Sequence, residues 1–127
     1  MFSQRPKEEE REERITMEIV VDAYGPEEQA MGWYYYLEET LTFPFIARCR
    51  ARRAISPLQE GDEVDVIAMA PEEECEHEMF VVIRWEKAPR GFPLGVPLSQ
   101  LVVAHADEQT RQAVEDWHYW VERGYQF

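Results

Sequence analysis

A helical period at each end of the chain and a period of two between them leave few architectures open. From Pro26 to about Leu41 the apolar residues Ala30, Trp33, Tyr34, Leu37 and Leu41 recur at i, i+3, i+4, i+7 spacing. Glu108 to Arg123 repeats the pattern with Ala113, Val114, Trp117, Trp120 and Val121. Each helix therefore has one face to bury. Pro26 suits a first helical turn, Glu27 and Glu28 complement the positive end of the dipole, Asp107 caps the second helix and Gly124 closes it.

Between the helices the spacing is that of strands. Phe45 to Ile55 alternates, with Ala47, Cys49 and Ala51 opposite Arg48, Arg50 and Arg52; Val64, Val66 and Ala68 alternate with Asp65 and Ile67; Met79 to Trp85 is a further apolar run and Leu101 to Ala104 finishes the sheet. Ser56-Pro57-Leu58 and Glu60-Gly61-Asp62-Glu63 supply turns, and the stretch 89–98 is turn-rich, with prolines that confine any strand there to an edge. Short strands joined by tight turns predict an α+β domain: a small, curved antiparallel sheet, an SH3-like partial barrel, flanked by an N-terminal and a C-terminal helix. Met17 to Asp22 reads as a short strand or extended lead-in. Residues 1–14, with the mixed-charge run Arg5 to Arg14, have no apolar face and read as a disordered charged tail ahead of a single domain over 15–127.

Charge narrows the function. The chain has 127 residues and a formal net charge of -13, so phosphate repulsion disfavours nucleic acid as a ligand, while cations and basic protein partners suit it. Nothing resembles a targeting sequence or a membrane span, which predicts a cytoplasmic protein. Cys49 and Cys75 lack the C-x-x-C spacing of a structural zinc site and read as free thiols.

Two acidic places could gather a hard cation. Glu72-Glu73-Glu74-Cys75-Glu76-His77-Glu78 concentrates five carboxylates between two strands, a density that costs self-energy unless a cation or open water spreads it. Glu38 and Glu39 lie at the negative end of the first helix dipole, unfavourable for bare carboxylates by about 0.3–1 kcal/mol each, and a bound cation reverses that sign. The helix-end carbonyls, with Thr40 or Thr42, complete an all-oxygen environment. Candidate ligands are thus Glu38, Glu39 and Thr42 at the helix end and Glu72, Glu73, Glu74 and Glu76 in the loop. Neither place has the spacing or glycine of an EF-hand. The same features have plainer readings: a solvated helix end, and charges that guard a hairpin tip from aggregation.

Cys75 and His77, two apart, would face one way on an extended chain, but zinc needs two more ligands and none is spaced for it. No nucleophile, base and orienting group fall together, so the sequence offers no case for an enzyme. The aromatic runs 33–36 and 117–120 fit core packing, with Tyr35 and Tyr119 facing outward. The arginines at 48, 50, 52 and 53 fit pairing with neighbouring glutamates, or a stripe for RNA or an acidic protein on an SH3-like interaction module.

The runs from Asp22 to Glu39 (Asp-Ala-Tyr-Gly-Pro-Glu-Glu-Gln-Ala-Met-Gly-Trp-Tyr-Tyr-Tyr-Leu-Glu-Glu), Phe43-Pro-Phe, Ile55-Ser-Pro-Leu, Ala70-Pro-Glu-Glu-Glu-Cys, Val96-Pro-Leu-Ser-Gln-Leu and Asp116-Trp-His-Tyr-Trp resemble the CcbP-type calcium-binding proteins of cyanobacteria and other bacteria. The similarity spans roughly residues 22–125. It implies a small, acidic, cytoplasmic protein that binds Ca2+ without EF-hands, as buffer or signalling component. Where that family often has aspartate after Tyr-Tyr-Tyr-Leu, this chain has Glu38 and Glu39.

Overall fold

The computed structural model describes residues 6–125 and 127. Five strands form one open antiparallel sheet: β1 (Phe45–Cys49), β2 (Glu63–Met69), β3 (Phe80–Arg84), β4 (Leu94–Pro97) and β5 (Leu101–His105), in the order β4-β3-β2-β1-β5. The alternation in β1 carries through, with Phe45, Ala47 and Cys49 inside and Arg48 outside. Because β1 is not an edge strand, it pairs with β2 on one side (Ala47 opposite Val64) and with the last strand on the other (Ala47 opposite Val103). A one-turn helix over Leu98–Gln100 joins β4 to β5. This is the expected α+β layout with an SH3-like strand order.

Strand β1 stops at Cys49 rather than continuing to Ile55. Arg50 turns away to donate to the Ser99 carbonyl at 2.8 Å and to pair with Glu122 at 2.9 Å, while Arg53 grips Glu78 through two bonds of 2.6 and 3.0 Å. Arg48 faces Glu63 at 3.4 Å. Three of the four arginines are thus paired with glutamates.

The helices are α1 (Glu9–Arg14), α2 (Pro26–Thr40) and α3 (Glu108–Glu122); α2 and α3 pack on the sheet, and α1 docks on α3. In α2 the buried stripe is Ala30, Trp33, Tyr34 and Leu37, as the spacing predicts, and in α3 it includes Ala113, Val114, Trp117 and Trp120. Asp107 caps α3 by accepting from the Thr110 N–H at 2.7 Å. The two stripes meet edge-on, Trp33 lying 5.1 Å from Trp117 and 5.6 Å from Trp120 between ring centres. Tyr119, expected on the outer face, is fully buried because the N-terminal segment covers it.

That segment corrects two expectations. Residues 9–14 are helical, and they dock through charge instead of an apolar face. Arg11 and Arg14 reach the fully buried Asp116 of α3 at 2.7 Å (Arg11 Nη1 and Arg14 Nη2 to Oδ1) and 2.8 Å (Arg14 Nε to Oδ2). The Tyr119 hydroxyl accepts from the Glu8 N–H at 3.0 Å and donates to Glu12 at 2.6 Å. The tail expected over 1–14 is therefore attached from Glu8 onward, while residues 1–5 lie outside the described residues. The strand expected near Met17 to Asp22 is instead a π-helical turn, Ile15–Ile19, which buries both isoleucines against α2. Gly32 permits the approach: a Cβ there would stand 2.4 Å from the Ile19 carbonyl oxygen.

His118 on α3 is buried, and that burial, with Arg50 beside it, pushes its imidazole down from 6.5 to about 4. The folded state thus prefers the neutral ring, so its contribution is complete above 6.5 and is lost as pH falls from 6.5 towards about 4. Denaturant unfolding across that window should show a loss of a few kcal/mol that the His118→Gln variant lacks. Asp107, held below the usual 3.8 by the Thr110 N–H, also stabilises only while ionised, and its share is lost further down.

Candidate metal centre

The loop between β2 and β3 closes through the Ala70 N–H, which donates to the Phe80 carbonyl at 3.0 Å. Within it, Glu72–Cys75 forms a single 3₁₀ turn. Only Cys75 points inward, its sulfur 3.3 Å from the Phe80 N–H, and burial pushes its thiol up. His77 is exposed. On this compact turn one side chain is buried and the other exposed, so the alignment that an extended chain would give them is lost.

The turn fans its carboxylates outward. Glu72 leans on α2, where it accepts from the Tyr35 hydroxyl at 3.3 Å. Glu73 and Glu76 line a cleft of about 470 Å³ together with Glu72 and with Glu27 of α2, backed by Met31 and Tyr34. Glu74 faces the opposite way, its Oε1 about 4.0 Å from where a Cβ on Gly95 of β4 would be. Glu78 is taken by Arg53.

At the helix end the two glutamates and the threonine separate. Glu38 lies on the side facing the acidic turn. Its effect is visible on the tyrosines: Tyr34, whose hydroxyl donates to the Ala70 carbonyl at 2.8 Å, is pushed up to about 12 by burial first and then by the Glu38 charge, with Glu72 adding to it. Tyr35 is raised chiefly by Glu72, and Glu38 contributes. Both tyrosines feel Glu38 and Glu72 together. Glu39 is exposed. Thr42 belongs to another neighbourhood, its N–H donating to the Thr110 hydroxyl at 2.9 Å and its side chain bonding Asp107.

The fold therefore brings one helix-end candidate, Glu38, to the loop candidates, and sends Thr42 to the start of α3 and Glu74 towards β4. It adds Glu27, which the sequence reading assigned only to the helix dipole. The signal for Glu27 was its place at the start of the helix that the loop packs on, a long-range fact. Among the described residues no three His, Cys, Asp or Glu side chains already stand where one ion could be held. The donors are carboxylates, phenols and carbonyls, and the last turn of α2 holds no basic residue, so the chemistry suits a hard cation such as Ca2+, whose flexible coordination needs no rigid cage.

The calcium-binding family Calci_bind_CcbP matches residues 13–121. Two solved structures have the same fold over nearly the whole chain. The crystal structure of Anabaena CcbP is 39% identical and superposes with a TM-score of 0.85, covering 100% of both chains. A calcium-binding protein in its calcium-binding form is 40% identical, with a TM-score of 0.84, covering 95% of this chain and 96% of that one. No curated protein sequence matches significantly. A family match over most of the length, and a shared fold at this identity, agree with the acidic, EF-hand-free pattern of the residues: the chain belongs to the CcbP family of calcium-binding proteins.

Proposed function

We propose that this protein binds Ca2+ without catalysing a reaction, as a buffer or sensor in the cytoplasm, and that the ion is held where the acidic turn meets α2. The observation that carries the reading is the shared neighbourhood of Glu38 and Glu72 around Tyr34 and Tyr35. Membership of a calcium-binding family and 40% identity to a protein known in its calcium-binding form support it. Glu38 and Glu72 would provide the first carboxylates, and Glu27, Glu73 and Glu76 beside the cleft would add charge. Glu39 would contribute from the exposed side of the helix, and Glu74 and Thr42 stand apart. The ion would neutralise carboxylates that otherwise repel one another. No helix among the described residues is long and apolar enough to cross a membrane.

Calcium binding to the folded chain alone should raise its stability by about 2.7 kcal/mol at free calcium a hundredfold above the dissociation constant. Thermal melting with calcium and with chelator reads this directly. The double variant Glu38→Gln, Glu72→Gln should lose most of the shift, Glu73→Gln with Glu76→Gln should lose part of it, and Glu74→Gln should keep it. Absence of any melting shift, together with no binding heat by calorimetry, overturns the proposal. Buffer and sensor then part on one readout: a sensor exposes new apolar surface to a fluorescent probe when calcium is added, and a buffer does not.

A further inference from the structure

The cleft beside the acidic turn has an apolar floor as well as an acidic rim. Ala30, Met31 and Tyr34 of α2 line it with Pro26 and Phe127, and Met31 and Tyr35, four apart on one helix face, are 42% and 45% exposed. An exposed apolar patch ringed by polar groups is the form that a protein-binding surface takes. The ring here is not neutralised. Glu27, Glu73 and Glu76 border the floor; among the described residues no lysine or arginine lines the cleft, and none of these three glutamates is in an ion pair. Cations that could have answered them are held elsewhere, Arg53 by Glu78, Arg50 by Glu122, and Arg11 and Arg14 by Asp116.

We propose that this cleft docks a basic segment of another protein, one large apolar side chain seated on Ala30, Met31 and Tyr34 with a lysine or arginine on each side answering Glu27, Glu73 and Glu76. Charge complementarity selects the occupant. An anion, or a second copy of a chain with a net charge of -13, is repelled, and a polyamine would meet the carboxylates but leave the floor wet. Size sets the form of the segment. A helix is about 10–12 Å across with its side chains, so one turn would fill the cleft, whereas a single anchor on an extended segment fits within its 470 Å³. The flexible thioether of Met31 adapts to different anchors, and the exposed ring of Tyr35 can take a cation on its face. Glu72, which accepts from the Tyr35 hydroxyl at 3.3 Å, belongs to the proposed calcium site as well. Ion and segment therefore exclude each other, a coupling that rests on the calcium reading and acts equally in both directions.

The peptide Lys-Arg-Phe-Arg-Lys, titrated in chelator at low salt and followed by NMR, tests the docking. The Met31 methyl signal and the Glu73 and Glu76 amide signals should move saturably. Serine in place of the central phenylalanine should weaken binding about tenfold, and glutamates in place of the basic residues should abolish it. Glu73→Gln with Glu76→Gln should also weaken it about tenfold and flatten its salt dependence. Glu60→Gln with Glu86→Gln, which removes the same charge from exposed positions outside the cleft, should leave it unchanged. A peptide that leaves Met31 unmoved overturns the inference. So does equal binding of the phenylalanine and serine forms, which is charge adhesion without an anchor, a neutral glycine-flanked form that binds as well, or equal loss in the two double variants. Saturating calcium should weaken the peptide at least about tenfold; a peptide held equally well with calcium bound overturns the exclusion. Because docking is read in chelator, a chain that binds no calcium would sink the calcium reading and the exclusion with it, and leave the docking result standing.

Discussion

Replacing Asp116 by alanine should cost about 3–5 kcal/mol of folding free energy, the range for removing one member of a buried ion pair. The carboxylate is fully buried, and three charge-assisted bonds from two arginines end on it. Without it, two guanidiniums that are 16% and 21% exposed face each other across a gap, and Arg11 is left with Glu8 at 3.2 Å and Glu115 at 4.0 Å. The arginines can swing towards water, which places the cost at the lower end of the range and directs it at α1. Hydrogen exchange should show residues 9–14 losing protection while β1, β2 and β3 keep theirs. A variant as stable as the parent, with α1 still protected, would mean that the bonds of Glu12 to Tyr119 and Tyr125, with Arg11 beside Glu115, suffice to hold the segment.

Trp33→Ala should be as damaging by a different route. The indole is fully buried, and it makes edge-on contacts with Trp117 at 72°, Trp120 at 60° and Tyr36 at 86°. Truncating a buried tryptophan costs about 3–5 kcal/mol in lost transfer energy and cavity, and each aromatic pair adds about 0.5–1.5 kcal/mol beyond area. The loss falls on the joint between α2 and α3, so it loosens both covers of the sheet together. Denaturant unfolding should show a lower midpoint with a single transition, and Trp33→Phe, which refills part of the space, should recover a good share. A loss under about 1 kcal/mol would show that the neighbouring rings collapse into the gap.

The parts of the fold written in local periodicity were readable: α2 to within a residue of its end, α3 with its aspartate cap, and the alternating strands. What escaped the sequence reading depends on partners far along the chain. α1 has no apolar stripe because its anchor is the carboxylate of Asp116, 105 residues from Arg11. Ile19, Val20 and Val21 look like a strand, yet Ile15 and Ile19, four apart, turn to one side once Gly32 opens room on α2. The site divides the same way. Glu38 and Glu72 were each visible as charge without a partner, but only the packing of the β2–β3 turn on α2 makes them neighbours. Thr42 looked like a ligand at a helix end, and its tie to Thr110, 68 residues on, could not be seen from spacing. Glu27 was legible only as a dipole partner.

The clamp on Asp116 also has an order in time. Chains are synthesised from the N-terminus, and Arg11 and Arg14 leave the ribosome long before the residue that fixes them; β1 likewise waits for β5, its partner on one side. Until α3 is made, the first residues remain open to proteases and to modifying enzymes that act on nascent chains. A chain truncated before Asp116 would keep that exposure permanently, so quality control could recognise an unfinished copy by its N-terminus.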